Sequence, residues 1–454
     1  MIRKRLLTRR EMLHLTGQSL SAVPLALAFA CHDKKSIPID RGKAYEGTDE
    51  HLLDEIKRVC FNFFWNEASP DTGQVKDRAL ASGAGTERMS SIAATGFGLA
   101  GLCIAEQRGY GKSSDIIERV RRNLRFLFRQ LPHEHGFYYH FIDMNTGQRW
   151  ERCELSSVDS SILLCGILTA RQHFADQEIK DLATQIYERV DWPWMLNDGP
   201  TLSMGWHPET GFLNARWEHY CELMMIYLLA IGSPTHPISP ETWNAWTRPK
   251  INYQGIEYIS GNDPLFTHQY SHAFFDFRNK SDAYTDYFEN SVKATRAHKL
   301  FCLSLRGKFP DYSEDLWGIS ASDYVGGYTA WGGPPPQGPI DGSIVPCATA
   351  GSLPFLFDDC MRVLRTIRSR YADKAWSHYG FIDAFNPLTA WWDHDVLGID
   401  LGITMLMAEN HRSGFVWQTF MKNPEAQQAM AKVGFHTASP PSSQIPVPAT
   451  PTRV

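Results

Sequence analysis

Three short segments of this sequence place carboxylic acids directly before apolar runs. Glu154 and Asp159 precede a run that continues to residue 168, Glu222 precedes the run 223–231, and Asp400 precedes the run 401–408. A carboxyl group at the entrance to a buried helix points towards one end of a helical assembly. Two such groups can act as the acid and the base of one reaction, so these segments predict acid–base chemistry.

The surroundings of each acid suggest a different role. Glu218 and Glu222 are four residues apart and share one face of a helix predicted over 218–231, but only Glu222 adjoins the apolar run. Apolar surroundings favour the neutral carboxyl that a general acid needs near neutral pH. A solvated or structurally paired glutamate is the alternative. Glu154 and Asp159 have an alternative reading as helix caps.

Aromatic residues cluster in and beside the predicted loops. Their faces stack on the apolar faces of pyranose rings, while Asp, Glu, Asn, His and Arg bind the hydroxyl groups, so the combination predicts a carbohydrate cleft. The alternative is that single tryptophans fill gaps between helices. The residues are Trp192, Trp194, Trp206, Trp217, Trp243, Trp246, Trp317, Trp331, Trp391 and Trp392.

Two histidines four residues apart, His268 and His272, are followed by Asp276. The three share a face if the segment is helical. The spacing is one that metal sites use, but the Glu-x-x-His pattern of zinc hydrolases is missing, so hydrogen bonding is favoured and we predict no metal and no cofactor. A nucleophile elbow, a Walker loop and a dinucleotide fingerprint are also missing, which disfavours esterase, nucleotide-binding and dehydrogenase functions.

The charge of the chain disfavours a nucleic-acid partner. The whole sequence has a net charge of -5, but the first thirty residues hold five basic residues and one acidic residue. The remainder therefore has 40 basic and 49 acidic residues, a net charge of -9. A body this acidic is a poor ligand for DNA or RNA.

The ends of the chain predict an exported protein. Residues 8–13 (Thr-Arg-Arg-Glu-Met-Leu) resemble a twin-arginine signal, and a short apolar run ends at Ala-Phe-Ala-Cys31, which resembles a lipoprotein cleavage box. Cys31 is a candidate lipid anchor, with ordinary cleavage nearby as the alternative. We predict a signal over 1–30, a linker over 31–47, one domain over 48–433 and a Pro-rich tail over 434–454. The other eight cysteines form no CxxC pair and predict buried free thiols.

Helical periodicity dominates the predicted domain. Apolar residues recur at three- and four-residue steps over 52–64, 116–127 and 356–367, and further helices are predicted at 90–108, 157–174, 178–190, 218–231, 284–304 and 399–411. Short strand-like pieces read as insertions. Roughly a dozen helices without a repeat of fixed period favour an all-α (α/α)6 toroid over a stacked solenoid.

Taken together, the motifs resemble the bacterial glucoamylase-like domain family, which includes the β-1,2-glucanases of glycoside hydrolase family 144. The resemblance covers most of 50–420. It rests on Ala-Thr-Gly-Phe-Gly-Leu at 94–99, Glu-Leu-Ser-Ser-Val-Asp at 154–159, Leu-Ala-Ile-Gly-Ser-Pro-Thr-His-Pro at 229–237, His-Gln-Tyr-Ser-His at 268–272, Asp-Phe-Arg at 276–278, Gly-Ile-Asp-Leu-Gly at 398–402 and Glu-Asn-His-Arg at 409–412.

The resemblance implies an (α/α)6 barrel that cleaves β-1,2-glucan with inversion. It assigns the acid to Glu222, in a Trp-x-x-Tyr-x-Glu segment, and the base to Asp400; Asp393, Asp395, Glu154 and Asp159 are competing bases. The chain departs from the family at Leu401, where glutamine is common, and at Cys221, where serine or aspartate is common. These changes leave linkage and chain-length preference open.

The leading hypothesis is an exported glycoside hydrolase whose partner is a β-glucan. Substrate hydroxyls would be oriented by acidic and histidine side chains, and sugar rings would stack on tryptophans. The predicted substrate-binding residues are Asp143, Glu154, Asp159, His272, Asp276, Trp217, Trp331 and Trp392. The alternatives are a surface glycan-binding protein without catalysis and a phosphorylase or transglycosylase acting on β-glucan.

Overall fold

The computed structural model describes residues 45–83, 85–261 and 264–437. The predicted signal segment, Cys31, and most of the predicted linker and tail lie outside them. The α-helices of the described residues are α1 (Asp49–Asn66), α2 (Ile92–Arg108), α3 (Ser113–Arg129), α4 (Ser157–His173), α5 (Gln177–Glu188), α6 (Trp192–Leu196), α7 (Met224–Gly232), α8 (Tyr270–Phe274), α9 (Tyr287–Ser304), α10 (Pro346–Ala350), α11 (Phe357–Arg370), α12 (Ala372–Ala375), α13 (Gly398–Ser413), α14 (Phe415–Phe420) and α15 (Pro424–Lys432).

Short strands connect these helices. They pair as small antiparallel ribbons, and the described residues contain no larger sheet than one of three strands. The strands are β1 (Arg78–Leu80), β2 (Met89–Ser91), β3 (His133–Glu134), β4 (Phe137–Tyr138), β5 (Phe141–Asp143), β6 (Leu155–Ser156), β7 (Gly205–His207), β8 (Gly211–Phe212), β9 (Lys250–Tyr253), β10 (Ile256–Ile259), β11 (Lys280–Ser281), β12 (Ser322–Tyr324), β13 (Gly327–Thr329), β14 (Trp376–Ser377), β15 (Gly380–Phe381), β16 (Phe385–Asn386), β17 (Trp391–Trp392), β18 (Asp395–Leu397) and β19 (His436–Thr437).

Six helices form the inner ring of the barrel: α2, α4, α7, α8, α10 and α13. Helix α2 packs against α4 and α13, α4 packs against α7, and α13 packs against α8 and α10. Residues 92–105 of α2 and 398–410 of α13 are buried without interruption. A helix that is buried on all sides belongs to the centre of a protein, which explains why these segments are apolar around the whole helix.

The outer helices bury only one face. In α3, the buried residues Ile116, Val120, Leu124 and Leu127 recur at three- and four-residue steps, and α1, α5 and α11 follow the same pattern. Helix α15, near the C-terminal end of the domain, packs on inner helix α7. The chain therefore folds as an (α/α)6 barrel, which confirms the predicted toroid and excludes the solenoid.

Two glycines allow the inner helices α2 and α4 to touch backbone to backbone. A Cβ atom added to Gly166 of α4 would overlap the carbonyl oxygen of Gly96 on α2, and one added to Gly96 would lie 2.5 Å from the Ile162 carbonyl oxygen. Gly96 belongs to the 94–99 segment on which the family resemblance rests. Its role is the close approach of two helices.

Three inner helices begin directly after a short strand. Strand β2 precedes α2 and pairs with β5, β6 precedes α4 and pairs with β7, and β18 precedes α13 and pairs with β1. The strands before α2, α4 and α13 are linked to one another by backbone hydrogen bonds and bridges, so the N-terminal ends of these three helices lie at one end of the barrel. That end carries the candidate site.

The predicted helices are largely confirmed, with one exception. The helix predicted over 218–231 begins only at Met224, because the backbone of 218–220 forms hydrogen bonds with Thr247 instead. The eight cysteines of the described domain are buried free thiols, as predicted. No helix in the described ranges is both long and apolar enough to cross a bilayer.

Candidate active site

Three buried carboxyl groups lie at the N-terminal ends of inner helices. Asp159 is in the first turn of α4, Asp400 is in the first turn of α13, and Glu222 lies in the turn two residues before α7. Their exposed fractions are 4%, 6% and 3%. The predicted arrangement of acids at helix entrances is therefore present, although Glu222 is in a turn and not on a helix face.

The turn that carries Glu222 is tied to the next inner helix. The Ser271 hydroxyl of α8 donates to the Glu222 carbonyl oxygen (2.9 Å) and accepts from the Met225 amide (3.1 Å). The Tyr220 hydroxyl contacts His268 Nδ1 at 3.2 Å. Glu218, in contrast, has a side chain that is 56% exposed. The shared face predicted for Glu218 and Glu222 is wrong, because no helix continues through them.

Asp400 forms a carboxyl–carboxyl contact with Asp383, which lies between β15 and β16. Asp383 is 2% exposed, and its Oδ2 accepts a hydrogen bond from the Asp323 amide (2.6 Å). Burial and the neighbouring Asp400 carboxylate raise the pKa of Asp383 well above its usual range. Asp383 therefore favours its neutral form beside Asp400.

Further acidic residues surround the pair of Asp383 and Asp400, and Arg78 of β1 lies between several of them. Arg78 forms ion pairs with Asp323 (2.6 Å), Asp395 (3.4 Å) and Asp77 (3.3 Å). Burial, together with the Asp323 and Asp395 carboxylates, raises the pKa of Asp393 to about 7. Oxygens of Asp323, Asp393 and Asp395 lie close enough together for a cation, and Arg78 already supplies positive charge there, so we assign them no metal.

A pocket of about 480 Å³ opens beside this acidic group. Trp376, His378 and His394 contribute to its wall together with Asp393 and Leu80. The mixture of an indole, imidazoles and a carboxyl group matches the surfaces that bind sugar rings and their hydroxyls. This pocket provides space for a ligand next to the carboxyl groups.

Glu154 and Asp159 meet on opposite sides of His140. The Nδ1 atom of His140 is 3.1 Å from Glu154 Oε1, and its Nε2 atom is 3.6 Å from Asp159 Oδ1. The Ser156 hydroxyl also donates to Asp159, and it caps α4 by accepting from the Asp159 amide. The helix-cap reading of this segment thus applies to Ser156, while both acids are brought together by a histidine that the sequence analysis missed.

Asp143 lies at the same end of the barrel, at the end of β5. Its Oδ2 accepts from Arg88 Nε (2.9 Å), and its Oδ1 accepts from the Asn145 and Thr146 amides. Burial opposes ionisation of Asp143, but these hydrogen bonds outweigh it and lower the pKa of the carboxyl group. Asp143 is therefore a carboxylate that orders the 143–146 turn.

The three tryptophans predicted to stack on sugar rings differ in exposure. Trp217 and Trp331 are each 1% exposed, and their indole N–H groups donate to Ser157 Oγ (2.8 Å) and Ser322 Oγ (3.0 Å). Both indoles are covered by protein, which matches the gap-filling alternative. Trp392 is half-buried and stacks on Phe385, with ring centroids 5.1 Å apart. Its stacking role stays a prediction.

His272 and Asp276 do not join the acidic groups. Helix α8 ends at Phe274, so the helical face predicted through Asp276 does not form. His272 is buried, and its carbonyl oxygen accepts from the Trp417 indole of α14 (2.6 Å). Asp276 pairs with Arg278 (2.8 Å), whose guanidinium lies over the Trp417 ring.

Helix α14 follows the C-terminal end of α13, whose sixteen residues span about 24 Å. Asp276 therefore lies near the C-terminal end of α13, away from Asp400, whereas His272 follows Ser271, which binds the turn of Glu222. The substrate-binding roles of His272 and Asp276 stay predictions. His268 and His272 are also fully buried, and burial lowers the pKa of each to about 3. Their spacing reflects core packing of neutral imidazoles.

Residues 214–424 match the family model described as "Putative glucoamylase". This part of the chain is similar to the glucoamylase-like domain family. The chain is 28% identical over 447 residues to an exo β-1,2-glucooligosaccharide sophorohydrolase of Parabacteroides distasonis, covering 90% of this chain and 61% of that relative. The predicted family resemblance is confirmed, and the chain spans about three fifths of the length of this curated relative.

Solved structures share the glucoamylase-like fold. The endo-β-1,2-glucanase of Chitinophaga pinensis, determined with sophorotriose and glucose, superposes with a TM-score of 0.80 at 27% identity and covers 86% of this chain and 99% of its own. A β-1,2-glucanase of Parabacteroides distasonis has a TM-score of 0.80 at 28% identity, with 86% and 60% covered.

Proposed function

We propose that this protein is a glycoside hydrolase that cleaves a β-linked glucan, with β-1,2-glucan as its substrate, by an inverting single displacement. The observation that carries the proposal is the placement of two buried carboxyl groups, Glu222 and Asp400, at the N-terminal ends of two helices of one inner ring. Glycoside hydrolysis requires one acid and one base or nucleophile from such a pair. The names of the similar proteins support the choice of β-1,2-glucan.

In this proposal, Glu222 is the general acid. Its turn is fixed by the Ser271 hydroxyl, and its carboxyl group is buried beside the apolar start of α7. Such surroundings favour a carboxyl group that holds its proton until the glycosidic oxygen needs it. Glu222 donates this proton to the leaving oxygen as the bond to the anomeric carbon breaks.

Asp400 is the proposed base. It lies in the first turn of α13, where the helix dipole stabilises a negative charge. Asp383 contacts Asp400, and the ion pair between Arg78 and Asp323 holds the neighbouring segments together, which gives the Asp400 carboxylate a fixed position. Asp400 accepts a proton from the attacking water, directly or through a substrate hydroxyl.

The proposal is tested by incubating the purified domain with linear β-1,2-glucan and a panel of other α- and β-glucans, followed by chromatography of the products. Cleavage of β-1,2-glucan alone is expected. Glu222→Gln should lower the rate by at least a hundredfold, while the matched variant Glu218→Gln, which changes an exposed glutamate in the same segment, should keep it.

Three results would contradict the proposal. Full activity of Glu222→Gln would remove Glu222 from the acid role. Binding of β-1,2-glucan without any cleavage would indicate a glycan-binding protein. Products that appear only when phosphate or an acceptor glucan is added would indicate a phosphorylase or a transglycosylase.

We also propose that the protein is exported and that Cys31 carries a lipid. The basis is the twin-arginine-like segment at 8–13 and the Ala-Phe-Ala-Cys31 box, both outside the described residues. The test is fractionation of cells that express the full chain. Replacing Arg9 and Arg10 by lysine should retain the protein in the cytoplasm, and Cys31→Ser should abolish incorporation of labelled fatty acid. Unchanged fractionation of the arginine variant would refute export by this signal, and unchanged labelling of Cys31→Ser would refute lipidation of Cys31.

A further inference from the structure

Asp383 is a buried carboxyl group that lies outside the segments on which the family resemblance rests. Its amide donates to the Asp395 carbonyl oxygen (3.0 Å), and its Oδ2 accepts from the Asp323 amide (2.6 Å). Its other oxygen, Oδ1, is buried and has no N–H or O–H donor among the described residues. A buried carboxylate oxygen without a donor is costly, and protonation of that oxygen removes the cost.

The contact between Asp383 and Asp400 needs a proton. Two carboxylates repel each other, whereas a carboxylic acid donates a short hydrogen bond to a carboxylate. Asp400 lies in the first turn of α13, where negative charge is stabilised, and Asp383 lies in a loop between two short strands. The proton therefore belongs on Asp383 and the charge on Asp400.

Charged groups on every neighbouring element act on this pair. Asp383 faces Asp400 on α13, Asp323 on β12 and Asp393 between β17 and β18, and Arg78 on β1 is the cation that interacts with it. Arg78 is already committed to Asp323, Asp395 and Asp77. Burial and the surrounding negative charge both favour the neutral form of Asp383.

We propose that Asp383 is a positioning residue that donates its carboxyl proton to Asp400 and holds that carboxylate in place as the base. This inference rests on the function proposed above. Asp383 itself does not contact the substrate. Its proton stays on Asp383 during turnover, while Asp400 exchanges a proton with the attacking water.

Two substitutions separate this role from a merely structural one. In Asp383→Asn, the amide oxygen can accept from the Asp323 amide as Oδ2 does, and the NH2 group can donate to Asp400. Asp383→Ala removes both hydrogen bonds. The measurement is the pH profile of kcat/KM on linear β-1,2-glucan, with circular dichroism and thermal unfolding as controls for folding.

We expect Asp383→Asn to keep kcat/KM within about tenfold of the unmodified enzyme, because the donor to Asp400 is preserved. Asp383→Ala should lose at least about a hundredfold, and the acidic limb of its profile should move to higher pH by about one unit. The proposal would be overturned if Asp383→Asn and Asp383→Ala both fold, lose kcat/KM equally and keep the acidic limb of the pH profile where it is. Full activity of Asp383→Ala would also overturn it.

A second measurement does not depend on activity. The infrared difference spectrum between the unmodified protein and Asp383→Asn at pH 7 should contain the C=O band of a protonated carboxyl group, which the variant lacks. If this band is absent, Asp383 is ionised and the proposal is wrong, whatever the substrate. If the band is present but no glucan is cleaved, the proposed function fails while the proton assignment stands.

Discussion

The helix that carries Asp400 is anchored at its other end by a buried ion pair, which gives a prediction with a defined size. Lys57 of α1 and Glu409 of α13 are both 0% exposed, with 2.8 Å between Nζ and Oε2. Arg108 of α2 also binds Glu409, through Nε at 3.1 Å, and the Ser413 hydroxyl donates to Oε1 at 2.6 Å. Glu409 therefore connects α1, α2 and the C-terminal part of α13.

Glu409→Gln leaves the Lys57 ammonium buried without its carboxylate and next to Arg108. Breaking a buried pair in this way costs about 3–5 kcal/mol. With an unfolding entropy of about 2.1 cal/mol/K per residue over roughly 390 folded residues, this loss lowers Tm by about 4–6 °C. Thermal unfolding followed by circular dichroism measures it directly.

Two control variants test the explanation. Lys57→Met leaves Glu409 bound to Arg108 and Ser413, so it should cost less than Glu409→Gln. The double variant removes both buried charges and should be more stable than the sum of the single losses predicts, by about 1–3 kcal/mol. A Tm change below about 1 °C for Glu409→Gln, or additive losses in the double variant, would refute the reasoning.

Three further predictions concern packing and charge. Gly166→Ala should destabilise the protein by about 1–3 kcal/mol in urea unfolding, because the new methyl group would overlap the Gly96 carbonyl oxygen; an unchanged midpoint would contradict this. Burial lowers the pKa of His298 to about 4. In its neutral form, the His298 Nε2 atom accepts a hydrogen bond from the Ile319 amide (2.9 Å). The stability that neutral His298 contributes is present above pH 6.5 and falls as the pH drops from 6.5 towards 4. The difference in unfolding free energy between the unmodified protein and His298→Gln should therefore shrink by about 1.4 kcal/mol for each pH unit below 6.5. A difference that stays constant with pH would contradict this prediction. Arg78→Met removes a cation that pairs with Asp395 and interacts with Asp383, so the acidic group around Asp400 loses positive charge and the pKa of the base should rise. The acidic limb of kcat/KM should therefore move up by about one pH unit. An unmoved limb would show that Arg78 does not act on the site.

The sequence predicted most of the helices because their patterns are local. Outer helices bury one stripe, and inner helices are apolar on all sides, so both stand out in the sequence. The exception, the start of α7, depends on hydrogen bonds between 218–220 and Thr247. A contact to a residue nearly thirty positions away leaves no trace in the periodicity of the segment itself.

The site was predicted where it depends on helix entrances and missed where it depends on loops. Glu222 and Asp400 adjoin apolar runs that reveal their positions at helix entrances. Asp383 and Asp323 are 60 residues apart and meet only through short strands. The one local signal for Asp383 is an acid between the apolar residues Ile382 and Ala384.

The pair His272 and Asp276 shows the opposite error. A four-residue spacing places two side chains on one face only if the helix continues, and α8 is five residues long. The chain turns away after Phe274, and Arg278 binds Asp276 next to α14. The spacing of His268 and His272 also could not reveal that both are buried as neutral imidazoles.

The central claim is that Glu222 and Asp400 cleave β-1,2-glucan by a single displacement. The most direct measurement is a proton NMR time course of linear β-1,2-glucan with the purified domain, with Glu222→Gln and Asp400→Asn as matched samples. An inverting reaction predicts that the α-anomer of the new reducing end appears first and then mutarotates, and that both variants give almost no product. Initial release of the β-anomer, or unchanged turnover in either variant, would contradict the account.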